Sequence, residues 1–289
     1  MSGRRGGVLL IAAAALIATA FAGWLVWDSL RDPGGGGTPQ RALALPSAAA
    51  AASQLDSGDS KAALPLTGKV VVLDPGHNAN NHNHTAEIAK LVDMGTARKA
   101  CDTTGTATNS GYSEAAYTLD VSRRARALLI KRGATVKLTQ NGDRAFGPCI
   151  NERAGIGNAA HADAAVSIHA DGSATGNRGF HVILPAAVHQ GIADTRAIVI
   201  PSRRLGTALK AHFAAATKSA PSNYIGGGTG LKVRDDLGGL NLSTVPKVFI
   251  ECGNMRDPQD AAHLTDPKWR QRAAQGIADG ITAFLEGRG

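Results

Sequence analysis

Residues 70–78 read VVVLDPGHN. An aliphatic run with no polar interruption stops at Asp74-Pro75-Gly76, and His77 stands immediately beyond. A continuous apolar run, as opposed to strict alternation, marks a strand covered on both faces, and Pro-Gly ends it in a turn. Similar runs follow at residues 134–139 (ATVKLT), 164–169 (AAVSIH), 179–184 (GFHVIL) and 247–251 (KVFIE). Between them lie helical patterns. Residues 114–131 (EAAYTLDVSRRARALLIK) set Leu119, Val121, Leu128 and Leu129 among helix formers and stop at Gly133. Residues 151–161, 203–218 and 268–285 read as helices too, the first weakened by two glycines. Strands alternating with helices predict an α/β fold, a single domain with a twisted, mainly parallel sheet covered by helices on both faces.

The 289 residues, 43% of them hydrophobic, are enough for one well-buried core. A net charge of +8 favours anionic partners. No helix-turn-helix, aromatic RNA-binding pattern or lysine-arginine block accompanies that charge, so no nucleic-acid partner is expected. At the N-terminus Arg4-Arg5 precede an uncharged apolar run over residues 8–27 (VLLIAAAALIATAFAGWLVW), the pattern of an export signal. Ala20-Phe21-Ala22 resembles a cleavage site, whereas the full run is long enough to span a bilayer, with Trp24 and Trp27 as interfacial anchors. Residues 1–27 are therefore read as a signal peptide or signal anchor. Residues 28–68, rich in Gly, Ala, Ser and Pro, are read as a flexible tether, and 69–289 as the catalytic domain. Either fate of the first segment puts the domain outside the cytoplasm. Retention would add membrane contact through residues 8–27.

His77 follows the first strand, His169 closes the 164–169 strand and Glu251 closes the 247–251 strand. Ligands of open α/β sheets bind beyond the carboxyl ends of the strands, so the three meet at one edge. Glu114 opens the helix after the first strand and reaches the same crevice, although the helix dipole alone would favour a carboxylate there. His77, Glu114 and His169 are the ligand set of a catalytic zinc, leaving a position for water. Glu251, a carboxylate too costly to bury without a role, is assigned the proton transfer. Asp74 and Asn78 are the candidate partners that orient the ligand histidines. His82, His84, His161 and His181 are read as exposed or structural, and residues 226–232 (GGGTGLK) lack phosphate-loop spacing.

In an exported chain, two of the three cysteines are expected to pair. Cys101 and Cys149 lie in polar, glycine-containing loops and are assigned the bridge. Cys252 sits in an apolar strand and is read as a buried thiol. The connection 78–112 is long for an α/β unit, and within it residues 85–94 (TAEIAKLVDM) have helical spacing. They are expected to form a short helix walling or covering the crevice.

From Val70 to Leu285 the chain resembles the zinc-dependent N-acetylmuramoyl-L-alanine amidases of bacterial cell walls. The resemblance rests on Asp74-Pro75-Gly76-His77, on Glu114 in GYSEAAYTLDVS, on Ser167-Ile168-His169 and on Glu251 in VFIECGNM. The Asn151-Glu152-Arg153 helix, with Asn158, also fits. Asn78-Ala79-Asn80-Asn81 stands where the family usually has glycines, and Asn254-Met255 where an aromatic is common, which bears on substrate preference. The resemblance implies one Zn²⁺ per chain and peptidoglycan or muropeptide fragments as partners. It implies hydrolysis of the amide between N-acetylmuramic acid and L-alanine of the stem peptide. Two alternatives stand beside it. One is another exported zinc hydrolase, a peptidase or deacetylase, and the other is a non-catalytic peptidoglycan-binding module.

Overall fold

The run that opens the domain forms strand β1 (Val70–Pro75) in the computed structural model, which describes residues 63–288. The apolar segment 1–27 and residues 28–62 of the tether lie outside the described residues. Among the described residues no helix is long and apolar enough to cross a membrane.

Along the chain follow α1 (Thr85–Ile88), β2 (Leu91–Asp93), β3 (Arg98–Ala100), α2 (Glu114–Lys131), β4 (Thr135–Leu138), α3 (Ile150–Ala159) and β5 (Ala164–Asp171). Then come β6 (His181–Pro185), β7 (His189–Gln190), β8 (Ala193–Asp194), α4 (Val199–Thr217), β9 (Leu231–Arg234) and α5 (Gly238–Asn241). The chain closes with β10 (Lys247–Asn254), α6 (Pro258–Thr265) and α7 (Pro267–Leu285). Six strands make the main sheet in the order β4-β1-β5-β10-β6-β9. The first four are parallel, while β6 runs antiparallel to β10 and carries β9 parallel to itself. The sheet is thus mainly parallel, as the alternation of strands and helices requires.

Both faces of β1 are covered, which is why its sequence does not alternate. Val71 and Leu73 join the larger core with Val166, Ile168, Val248 and Ile250, under α2, α4 and α7. Val72 packs on the other face with Ala165, Val245 and Ile156 of α3. Helix α2 shows how this is encoded. Ser113 caps it by accepting from Ala116 N at 3.3 Å, and Tyr117, Val121, Ala125 and Leu129 form a buried stripe toward the sheet. Burial of each large apolar chain contributes about 1.5–3 kcal/mol, so this stripe, more than helix propensity, holds α2 in place.

Two sequence expectations need correction. Residues 85–94 are not one helix: α1 is a single turn, and Leu91 and Val92 lie in β2, paired antiparallel with β3. Cys101 N donates to Lys90 O, so a non-local hairpin outcompetes the helical spacing. The strand read at 179–184 is present as β6 and runs antiparallel to β10, because the short connection from Asp171 to His181 holds no crossover helix. Finally, the tether does not extend to residue 68. Leu66 is fully buried and its N–H donates to Arg132 O, so this turn is part of the core.

Candidate active site

Three of the parallel strands bring the site together at their carboxyl ends. His77 leaves β1 in the left-handed region, with φ of +61°. His169 lies near the end of β5, and Glu251 sits opposite it in the register of β10. Glu114, the first residue of α2, reaches in from the helix start. The ligating atoms of His77, Glu114 and His169 all lie within 4.8 Å of one another. His77 Nε2 is 3.2 Å from Glu114 Oε2, and His169 Nδ1 is 2.9 Å from Glu114 Oε1. The two rings meet edge to face at 5.1 Å.

The glycine of the Asp74-Pro75-Gly76-His77 turn follows from this geometry. A Cβ at Gly76 would stand 2.3 Å from His169 Cε1, inside the ring. Glu114 is held by backbone donors, Thr106 N at 3.0 Å and Ala170 N at 3.2 Å. Behind His77, Nδ1 faces Thr103 O at 3.1 Å and Asp102 Oδ1 at 3.4 Å. Phe249 stacks on His169 at 5.2 Å.

Electrostatics favour positive charge within the cluster. Burial opposes charge on His77, yet Glu114 and Asp102 raise its pKa to about 10. Burial alone would raise Glu114, but His77 and His169 hold it well below the usual carboxylate range. A metal ion binding there would displace the His77 proton, so its uptake would release a proton and strengthen as the pH rises. Two ring nitrogens and one carboxylate oxygen turned toward one point are a donor set suited to zinc.

Glu251 differs from Glu114. Its Oε2 is buried and accepts no hydrogen bond among the described residues. Burial, then Glu114 and Asp171, push its pKa well above the ordinary value. Two adjoining clefts of about 280 and 340 Å³ share His77, Thr103, His169, Leu237 and Phe249. Glu251 opens on the second of them. The β2–β3 hairpin supplies Lys99 and Ala100 to the wall of the first, so the loop expected to wall the crevice does so as a strand pair.

Asp74 and Asn78 are not placed against a ligand ring. Asp74 points away, accepting from Thr139 Oγ1, Ser167 Oγ, Arg153 Nη1 and Lys247 Nζ in the buried interior. Asn78 donates to Gly147 O at 3.0 Å and accepts from Asn80 N, which pins the loop after the turn. The positions behind His77 belong to Asp102 and Thr103, which sequence reasoning missed. Their only signal was adjacency to Cys101. A disulfide joins Cys101 to Cys149, and Cys252 is buried and unbridged. His181 is buried beside Glu251 on β6, whereas His82 and His161 are exposed.

A family model described as N-acetylmuramoyl-L-alanine amidase matches residues 71–283. The chain is 37% identical over 241 residues to N-acetylmuramoyl-L-alanine amidase Rv3717 of Mycobacterium tuberculosis, covering 83% of this chain and 96% of that one. The crystal structure of the N-acetylmuramyl-L-alanine amidase Ami1 from Mycobacterium smegmatis superposes with a TM-score of 0.70 at 39% identity, covering 77% of this chain and 99% of the other. The catalytic domain of CwlV from Bacillus (Paenibacillus) polymyxa, at 24% identity and a TM-score of 0.57, covers 75% of this chain and 98% of its own, and shares the fold.

Proposed function

This chain belongs to the N-acetylmuramoyl-L-alanine amidase family, and on that premise we propose that His77, Glu114 and His169 hold its one zinc ion while Glu251 moves the proton. The enzyme is a hydrolase of peptidoglycan, and the bond cleaved joins the lactyl carbonyl of N-acetylmuramic acid to the nitrogen of L-alanine. The family is generally zinc-dependent, and the donor triad is what such an ion requires. We place the enzyme at the cell envelope, exported by residues 8–27.

The observation that carries the assignment of roles is the contrast between the two glutamates. Both oxygens of Glu114 are engaged by His77, His169 and two backbone N–H groups, whereas Glu251 Oε2 is free. A bound zinc ion would supply Lewis acidity to the scissile carbonyl and lower the pKa of the attacking water. Glu251 Oε2 takes a proton from that water and returns it to the L-alanine nitrogen as the C–N bond breaks. The products are a lactyl carboxylate and a stem peptide with a free amine. The two clefts let the glycan side and the peptide side leave the reacting carbonyl in different directions.

Digestion of a purified muropeptide with and without a chelator, read by mass spectrometry, tests this reading. Release of a stem peptide with a free L-alanine amine, abolished by chelator and restored by zinc, is expected. Cleavage between amino acids, or loss of an acetyl group, would assign the site to a peptidase or deacetylase.

A further inference from the structure

Arg153 lies in α3 at 5% exposure, and each of its nitrogens donates. Nε bonds Pro148 O at 2.9 Å. Nη1 bonds Asp74 Oδ1 at 2.8 Å and Pro75 O at 2.6 Å. Nη2 bonds His77 O at 3.2 Å and Asp102 Oδ2 at 2.9 Å. Three of these five acceptors belong to the turn that delivers His77, and a fourth is the carboxylate behind its ring. His77 needs such help. Its φ of +61° is a conformation that a residue with a Cβ adopts at a cost of about 1–2 kcal/mol. Gln140 Nε2 donates to the same His77 carbonyl at 3.1 Å.

Charge compensation alone does not account for the arrangement. Asp74 already has a buried cation, Lys247, at 3.1 Å. A second cation placed only to neutralise Asp74 would have no reason to reach the carbonyls of Pro75 and His77.

We propose that Arg153 is a positioning residue for the metal centre: it locks the left-handed turn at His77 and, through Asp102, sets the ring so that Nε2 faces Glu114 and His169. The disulfide serves the same frame, since Cys101 precedes Asp102, Cys149 precedes α3, and Ile150 N donates to Cys101 O. Arg153 is not among the three residues whose ligating atoms converge, although it borders the first cleft. Its effect is on how well the ligands are prearranged, a cost otherwise met from the metal's own binding energy. The inference rests on His77 being a ligand.

The test is zinc affinity, measured by competition with a chromophoric chelator, beside the melting temperature of the metal-free protein. Arg153→Lys keeps the charge but cannot reach five acceptors. It should bind zinc about 10–100-fold more weakly, the range for partners that orient metal ligands. Gln140→Met, which removes the other donor to the His77 carbonyl together with the acceptor of Gly142 N, should weaken zinc by a smaller factor. Thr139→Val removes a bond to Asp74 from the same network without touching His77. It should lower the melting temperature and leave zinc affinity unchanged. Wild-type affinity in both Arg153→Lys and Gln140→Met would overturn the inference, and so would an equal loss in Thr139→Val. If Arg153→Lys does not fold, Gln140→Met against Thr139→Val decides alone. Wild-type protein that takes up no zinc would overturn the metal-centre reading itself, and this inference with it.

Discussion

Glu251 stands directly beside His169 in the parallel register of β5 and β10. Neighbouring strands are about 4.8 Å apart, so the sheet itself fixes the distance between the His169 ring and the Glu251 carboxylate. Phe249, two residues earlier on β10 and on the same face, stacks on His169 at 5.2 Å. Two of the four groups in the site thus ride on buried strands and a third on a capped helix start. Only His77 sits on a turn, and there the structure spends its most elaborate hydrogen bonding.

Gly76 makes that turn compatible with His169. Gly76→Ala would drive a methyl group into the imidazole at 2.3 Å. Overpacking of this kind costs about 1–3 kcal/mol. Zinc affinity should fall roughly tenfold or more, with a smaller change in the melting temperature of the metal-free protein. Equal zinc affinity in titrations of the variant and the wild type would show that the turn has room to yield.

Asp74 contributes to the pH dependence of stability. Burial by itself would raise its pKa, but Lys247, Arg153 and Thr139 hold it far below the usual range. The unfolded chain protonates this carboxyl near pH 4 and the folded chain does not. The unfolded state therefore binds the extra proton below about pH 5, and stability falls as the pH drops. Asp74→Asn should cost about 3–5 kcal/mol at pH 7, because it strands the buried Lys247 and leaves Arg153 with Asp102 alone. The gap to wild type should narrow between pH 5 and pH 3. Urea midpoints that fall in parallel in the two proteins would remove Asp74 from the acid response.

Closing the segment between Cys101 and Cys149, 48 residues apart in sequence, is worth about 4 kcal/mol in the loop-entropy model. The double variant Cys101→Ser, Cys149→Ser should lose stability of that order in urea. It should also bind zinc less tightly, because the loop bearing Asp102 is released from α3. Stability loss with unchanged zinc affinity would limit the bridge to a structural role.

Much of this was legible in the sequence, for identifiable reasons. Helix α2 begins and ends where Ser113 and Gly133 mark it, and the buried strands announce themselves by uninterrupted aliphatic runs. The four chemical residues could be placed because strand ends and helix starts share one edge of the sheet. Partnership was harder to read. Strand direction at β6 follows from a connection too short for a crossover, which apolar spacing does not encode. Leu91 and Val92 had helical spacing but pair with β3 across a turn. Nothing in the glycine-weakened Asn151–His161 pattern signals that Arg153 is buried with five acceptors, because those acceptors come from three separate segments. Asp74 adjoins the ligand turn in sequence, yet its side chain goes to the interior. Asp102, distant from His77 in sequence, takes the place behind the ring.

The central claim is that three residues hold the ion and Glu251 moves the proton. Glu251→Gln separates these roles most directly, measured as zinc content per chain together with the single-turnover rate of muropeptide cleavage. Glutamine is nearly isosteric with glutamate but cannot accept the proton, and proton transfer by a positioned group contributes about 10²–10⁴-fold. The account predicts close to one zinc per chain, a similar melting temperature and a rate at least about 100-fold lower, while His77→Ala loses zinc and activity together. A metal-free Glu251→Gln protein would make Glu251 a ligand, and one that turns over at close to the wild-type rate would remove it from the mechanism.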